Sequence, residues 1–481
     1  MAASAQQAPP WRAVFAGTRG RLTIGLLLLE ALVAVEIMVV ATILPAVEAD
    51  LHGLKLYGWI YAALTLASIG SVPIAGRMTD RLGPRPILAI SIVFYVGGLV
   101  LAATAPTMFI LVLARFVQGI GGGGIGTVAM AVVADIVPAR QIGRWLGYQG
   151  MGFAVASVIG PVVGGLFVDH LSWRWAFYIN VPFGVLGIAL IASQLRIPYR
   201  RLPHALDWLG SLLLMIALAC FVIVATLGGT EFSWRSGRAV GLVVAVLVVG
   251  AAFVWRERRA SEPVLPLRLF DDAVIRVSTI VNLASGLVFY CGIFFVPLFM
   301  QEVHGVSPTS SGLVLTPLMF GAAFGTMISG RQVERSGRIR SWPIAGSALM
   351  AGGVGLLITL REHTPVPSAA FYVLVLGIGI GFVMQPSLLA AQNAARPADL
   401  GTTTSTALLF RMMGSTIGVP IFGGILNAGL PAGRHTAADF THALPPVFVA
   451  ALPVTLLSIL AATRLPERPL RDTTHITEVL V

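Results

Sequence analysis

Charge is scarce in this chain. Only 11% of its 481 residues are Asp, Glu, Lys or Arg, where a soluble domain carries roughly 25%. With 56% hydrophobic residues and a mean hydropathy of +0.87, the chain reads as an integral membrane protein. Cysteine is nearly missing as well. Cys220 and Cys291 both lie within apolar runs, far apart in sequence, so neither a disulfide framework nor a metal site is indicated. Lysine is reduced to Lys55, the other basic residues being arginines, a bias that hints at a GC-rich prokaryote. All eight histidines fall in loops. With no cluster of His, Cys or acid ligands and no nucleophile beside a base, an enzyme is not expected, nor any metal or cofactor. Repeated polar rings, which a channel needs, are also missing. The net charge of +11 is parcelled into short loops and does not form the basic face of a nucleic-acid binder.

What the chain has in abundance is apolar sequence. Runs of about 20 apolar residues, enough for a helix to cross a hydrocarbon core of roughly 30 Å, recur fourteen times. They cover 22–44, 57–76, 86–105, 107–134, 145–168, 175–195, 208–228, 238–255, 274–300, 311–330, 342–360, 368–392, 403–426 and 443–464. The arginines orient them. With both ends in the cytoplasm, the tails and the loops on that side hold 24 of the 32 Lys+Arg, the opposite loops hold 6, and Arg115 and Arg411 lie within spans. That asymmetry follows the positive-inside rule. Arg12, Arg19 and Arg21 precede the first run with no small-residue cleavage site after it, which reads as a retained span and not a signal peptide. The expected address is a plasma membrane, the inner membrane of a bacterium.

Two polar stretches carry an internal repeat. Gly76-Arg-Met-Thr-Asp80-Arg81-Leu-Gly83-Pro-Arg85 stands between spans 2 and 3, and Gly330-Arg-Gln-Val-Glu334-Arg335-Ser-Gly337 stands between spans 10 and 11. Both glycines and the acid-base pair keep their spacing. Matching polar loops in two hydrophobic halves are the mark of a repeat-built transporter. Six spans per half start the second half at span 9, which leaves spans 7 and 8 as an inserted pair. The expected division is 1–195 for the N-terminal half, 196–272 for linker and inserted pair, and 273–481 for the C-terminal half and tail. The connector 255–273 alternates basic and apolar residues. It is expected either along the membrane surface or as a solvated linker.

The first of these stretches resembles motif A of the major facilitator superfamily, because Gly76, Asp80, Arg81, Gly83 and Arg85 stand at the family spacing. Arg115-Phe-Val-Gln118-Gly119 in span 4 resembles motif B. Gly152, followed by Gly160-Pro161-Val-Val-Gly164-Gly165 in span 5, resembles motif C, which the family associates with antiporters. Its proline and glycines permit a bend as two halves rock. Trp173-Arg174-Trp175-Ala-Phe177-Tyr178-Ile-Asn180-Val-Pro182 and Phe410-Arg411-Met-Met-Gly414 are similar to strings of the fourteen-helix drug:proton antiporter branch. The aromatics of the first string also suit a membrane-interface belt. The resemblance implies an all-α integral membrane fold of 14 transmembrane helices, two six-helix halves plus the inserted pair. It further implies a cytoplasmic latch, with Asp80 beside the helix N-terminus near Thr402 to Thr404, where the helix dipole is positive. Glu334 and Arg335 would form a weaker latch against span 5.

Only Glu30 and Glu36 among the acids sit well inside a span. Burial disfavours a bare carboxylate, which suits an acid that takes up and gives back a proton. Six residues set them about 9 Å apart along the helix and roughly 120° around it, so both cannot point into one narrow cavity. Glu36 is the first choice for the proton and Glu30 the second, with a structural role open for Glu30. Arg115 and Arg411 are candidate charge partners. Gln118, Asn282, Phe289, Tyr290, Phe294, Gln385 and Met412 are expected to line a cavity, since aromatic and methionine side chains adapt to varied ligands. The function expected is proton-coupled efflux of cationic or neutral amphiphilic small molecules by a monomer surrounded by membrane lipids. The alternative is an exporter of lipids or lipid-like amphiphiles with a lateral opening, favoured by a long apolar cavity without polar groups from the second half.

Overall fold

The computed structural model describes residues 17–52, 56–136, 142–194, 207–227, 236–261, 263–306, 308–396, 399–431 and 436–470. Among them there is helix and no strand. In lipid a backbone must satisfy its own polar groups, and helices do so within one segment. The helices of the first half are α1 (Gly17–Leu51), α2 (Tyr57–Leu82), α3 (Pro84–Ala103), α4 (Met108–Ile136) and α5 (Ile142–His170), followed by the short α6 (Trp175–Tyr178) and α7 (Asn180–Gln194). After them come α8 (Trp208–Leu227), α9 (Gly237–Arg259) and α10 (Ala273–Glu302). The chain continues with the short α11 (Pro308–Leu313), α12 (Thr316–Ser336), α13 (Ser341–Ile358), α14 (Val366–Ala394), α15 (Leu400–Gly429), the short α16 (Ala437–Ala443) and α17 (Pro445–Thr463). Ten stretches of helix among the described residues are long and apolar enough to cross a membrane, and Trp175–Gly187 and Trp208–Val224 are shorter apolar helices.

Apolar side chains gather in three clusters. One is built almost wholly from α1 to α7 around Ile43, Ile92 and Val128, and a second from residues 274 to 470 around Val288, Leu318 and Phe448. The third joins Leu66 and Ile69 of α2 to Leu214, Leu218 and Val222 of α8 and Leu409 of α15. Through it α8 packs where α2 and α15 meet, while α9 packs on α8 and is only 11% buried over its span. Between the halves, α5 lies along α12 and α2 along α15.

Helices run further than the apolar stretches. Arg77 to Leu82 form the last turns of α2, and Arg331 to Ser336 the last turns of α12, so most of each repeated stretch is helix and not loop. The physical reason is the headgroup layer, which widens the bilayer from roughly 30 Å to 40–45 Å and lets a helix continue with polar side chains. The second glycine of each copy is where the helix stops. Gly83 has φ 90° and Gly337 φ 69°, each donating its N–H at 2.8 Å to the carbonyl four residues back, a backbone region that glycine enters without strain.

The connector after α9 is tied to the helices around it. Glu257, 3% exposed, accepts from the backbone N–H of Val264 at 3.2 Å and of Leu265 at 2.7 Å. Arg77 donates to the Pro263 carbonyl, and Arg268 grips Asp399 through two bonds of 3.1 and 2.6 Å. The segment is pinned by polar contacts to α9, α2 and the approach to α15. Residues 196–206 of the preceding linker lie outside the described residues.

Close helix crossings depend on single glycines, and α13 offers a paired test. A Cβ at Gly353 would stand 2.8 Å from the Leu376 backbone of α14, whereas one at Gly352 meets nothing within 4 Å. Gly353→Ala is expected to destabilise by about 1–3 kcal/mol as overpacking. Gly352→Ala is expected to be neutral or to stabilise by up to about 1 kcal/mol, because helical alanine loses less entropy. Thermal unfolding of the detergent-solubilised chain reads both.

Candidate functional site

Glu36 stands on the inward face of α1, and its neighbours fix its chemistry. Helix α5 comes close because Gly160 has no side chain: a Cβ there would stand 2.4 Å from the Met38 Cβ, and one at Gly152 would touch Ala31 at 3.6 Å. The motif C glycines thus dock α5 on the α1 turns that flank the acid. From α4, Arg115 donates through Nη1 to Glu36 Oε1, and both side chains are fully buried. The same nitrogen donates to Gln118 Oε1 at 2.7 Å, and Nε to the Ile60 carbonyl at 3.3 Å. The guanidinium also lies 5.9 Å from the Phe177 ring centroid. Either ion alone would cost several kcal/mol in a span, and pairing plus hydrogen bonds offsets that. Glu36 Oε2 and Arg115 Nη2 have no hydrogen-bond partner among the described residues. The pair therefore keeps one acceptor and one donor in reserve.

Glu36 lines a cavity of about 330 Å³ whose walls come from both halves. Tyr61, Thr65, Tyr95, Thr127 and Gln149 join it from the first half, and Phe289, Tyr290, Gln385, Arg411, Met412 and Ser415 from the second. The position of Arg411 follows from two glycines. A Cβ at Gly286 would stand 2.1 Å from the Arg411 carbonyl oxygen, and one at Gly414 would stand 2.2 Å from that of Leu283. Backbone on backbone, α10 and α15 hold Arg411 on the cavity wall beside Tyr290. No salt bridge is made by Arg411 among the described residues.

Aromatic rings span the two halves at the arginine-poor end of the cavity. Tyr61 of α2 meets Phe294 of α10 edge to face at 5.5 Å, and Phe294 stacks on Tyr290 at 6.2 Å. At the arginine-rich end, Gly76 of α2 lies against Ser405 of α15, with 3.8 Å between a Cβ at Gly76 and the serine. This is the helix that the motif A resemblance names as the partner. The Asp80 and Pro161 side chains lie outside the described residues, while Arg81 and Arg85 are exposed. Gly164 is buried and Gly165 half-buried on α5. In the second copy Glu334 has an interaction partner and Arg335 is exposed.

Three expected lining residues lie elsewhere. Gln118 is fully buried, spent on Arg115 and packed where α4 crosses Gly98 of α3. Asn282 is 2% exposed and donates at 2.9 Å to the Ser278 carbonyl of its own helix, so its amide is satisfied locally. Phe294 belongs to the aromatic contact just described and not to the lining. Glu30 is buried beside Gln149, off the cavity wall, with neither carboxyl oxygen hydrogen-bonded among the described residues. The separation around α1 produces that split. Tyr61, Tyr95 and Gln149 were not among the expected residues. Polar tips within apolar runs are the signal that points to them.

The aromatic string at residues 173–178 does more than sit in an interface. Trp173 is 5% exposed and donates from Nε1 to Asp50 Oδ2 at 3.0 Å. Arg174 donates to the same oxygen at 2.8 Å and to the Ala105 carbonyl at 3.2 Å. Those bonds hold the Asp50 carboxyl, beyond the membrane-spanning part of α1, below the ordinary aspartate value of 3.8. Trp175, by contrast, is 50% exposed.

Comparison with known proteins gives a consistent picture. The family model described as "Major Facilitator Superfamily" matches residues 26–210 and 200–419. The multidrug transporter protein MdtP of Bacillus subtilis (strain 168) is 33% identical over 410 residues, which are 85% of this chain and 76% of that protein. Multidrug resistance protein 3 of the same organism is 31% identical over 404 residues, 84% of this chain and 79% of that protein. An uncharacterized MFS-type transporter of Mycobacterium tuberculosis (strain ATCC 25618 / H37Rv) is 34% identical over 463 residues, 90% of this chain and 67% of its own. Among solved structures, the human organic anion transporter MFSD10 superposes with a TM-score of 0.67 at 16% identity, covering 94% of this chain and all of that one. At that identity the likeness shows the fold alone.

Removing one member of a buried ion pair leaves the other uncompensated. Arg115→Ala is expected to cost about 3–5 kcal/mol, and the Arg115→Ala/Glu36→Ala pair less than the sum of the two single changes. Thermal unfolding of the four proteins measures this coupling. The outer contact has its own pH signature. Because the folded Asp50 carboxyl is the stronger acid, its stabilisation is present above about pH 4 and lost as pH falls through the folded value. Asp50→Asn is therefore expected to lower the unfolding temperature at neutral pH and to converge with the unaltered chain in acid.

Proposed function

We propose that this chain, which belongs to the major facilitator superfamily, exports amphiphilic small molecules in exchange for protons. The chain is a multi-pass membrane transporter and not an enzyme. The proposal extends this to fourteen spans with cytoplasmic termini in a bacterial inner membrane, and to two six-helix halves that rock about the cavity. The names of the two Bacillus subtilis relatives support drug efflux. The observation that carries proton coupling is the Glu36–Arg115 pair on the wall of a cavity lined by both halves.

The pair has two states in this scheme. Deprotonated Glu36 holds Arg115, and protonated Glu36 releases it toward Gln118 and the Ile60 carbonyl. Proton and substrate then exclude one another if substrate is bound in the first state and leaves in the second. Each half returns only when one of them is aboard, which is the requirement of antiport. Contacts at the two ends of the cavity, Tyr61 with Phe294 and Gly76 with Ser405, are suited to break alternately. The aromatic and methionine wall, Phe289, Tyr290, Met319, Met384 and Met412, supplies adaptable apolar contact.

Arg411 bears on the sign of the substrate. A cationic preference rested on two glutamates, but one is paired with Arg115 and the other lies off the wall, while Arg411 faces the cavity. Neutral and acidic amphiphiles fit that wall better than cations. The polar groups from the second half, Gln385, Arg411 and Ser415, also weigh against the lipid-exporter reading, which called for their absence.

Vesicles containing the purified chain test the reading with three fluorescent amphiphiles, one neutral, one anionic and one cationic. A pH gradient is expected to drive accumulation of the neutral and anionic probes. Glu36→Gln is expected to keep exchange of labelled for unlabelled probe and to lose gradient-driven accumulation at least tenfold. Arg411→Gln is expected to weaken transport of the anionic probe selectively. Undiminished gradient-driven accumulation in Glu36→Gln overturns the coupling assignment.

A further inference from the structure

We propose that a second cavity, between α2, α3, α4 and the inserted helix α8, holds an acyl chain of an anionic phospholipid of the cytoplasmic leaflet. Its space of about 390 Å³ is bounded by Ala67, Ser71 and Ala75 of α2, Ser91 of α3, Ile120 of α4 and Met215 of α8, among others. The inference rests on the orientation proposed above and is independent of proton coupling.

The walls have little free polarity to offer. The three serine hydroxyls on the lining are each spent within their own helix, Ser71 on the Ser68 carbonyl at 3.0 Å, Ser91 on Ile87 at 2.8 Å and Ser211 on Asp207 at 3.2 Å. Water needs two to four polar partners, and the lining offers it only the acceptor side of these hydroxyls and the indole N–H of Trp208 at the lip. The lips are apolar and exposed: Ile90 at 46%, Phe94 at 42%, Trp208 at 58% and Leu212 at 47%. In a membrane-spanning region such lips face hydrocarbon, so the cavity opens into the bilayer and its filling is lipid.

Charge at the mouth selects the headgroup. Met78 and Ile87 line the arginine-rich end, and exposed Arg81 lies one helical turn beyond Met78. Asp207, adjacent to Trp208, is buried and paired with Arg256 at 3.0 Å, so it does not counter Arg81. Basic groups at this depth favour anionic headgroups. The inserted helix is then sealed to the first half partly by protein, through Leu66, Ile69, Leu214 and Leu218, and partly by a lipid chain.

The test reconstitutes the full chain in vesicles doped with phosphatidylglycerol or phosphatidylcholine carrying a photoreactive acyl chain, and maps the adducts by mass spectrometry. Leu247 and Val248 of α9, 66% and 60% exposed, report ordinary contact with bulk lipid. Labelling of Phe116 and Ile120 is expected to exceed that background several-fold with the anionic lipid. Ser211→Phe, which fills the cavity, and Leu212→Trp, which narrows its mouth, are each expected to abolish the excess while leaving the α9 adducts unchanged. Three results overturn the proposal: labelling of α4 no greater than that of α9, equal labelling by the two headgroups, or displacement by a transported amphiphile at its transport concentration. A chain that fails to couple protons but shows the excess keeps this inference, so the two readings fail separately.

Discussion

A buried carboxylate and a buried guanidinium cannot be left alone in hydrocarbon, and the contact between Glu36 and Arg115 is the constraint around which the first half is arranged. Helix α4 must bring Arg115 to α1, so it crosses α2 and α3 at small residues. Gly119 sits against the Leu64 carbonyl and Gly121 against the Tyr95 backbone. Helix α5 must leave the acid accessible from inside, and Gly160 lets it pass directly over Met38. The second half has no such pair among the described residues. Its crossings at Gly286 and Gly414 place a single charge, Arg411, on the shared wall.

Two halves with unequal charge chemistry give the cavity a direction. The first half holds a buried ion pair, and the second a cation and an adaptable apolar surface. Helices α8 and α9 take no part in the lining. They attach where α2 meets α15, the seam that a rocking motion would work, and their connector is tied to α2 through Arg77 and to the approach to α15 through Arg268. Their position suits a brace on that seam rather than a wall of the substrate path.

Much of this was legible in the sequence because lipid leaves few choices. Apolar length marked the helices, and the repeated glycine-acid-base-glycine stretch marked equivalent ends of α2 and α12, where Gly83 and Gly337 adopt the positive φ that such a stop requires. Glu36, Arg115 and Arg411 announced themselves as charges within apolar runs. What stayed hidden was direction around a helix. Asn282 and Gln118 carry the same kind of polar group as Gln385, yet the first bonds its own backbone and the second serves Arg115. Only the packing distinguishes them from Gln385 on the wall. Aromatic Trp173 likewise reads as an interface residue until Asp50, distant in sequence, is seen to accept its N–H.

In the proposed exchange, a proton and a transported molecule compete through Glu36. Infrared difference spectroscopy of the reconstituted chain observes a protonated carboxyl directly. Mild acidification without substrate is expected to raise a protonated-carboxyl band that is missing in Glu36→Gln, and saturating substrate at the same pH is expected to remove it. A band that survives in Glu36→Gln, or one indifferent to substrate, would contradict the account.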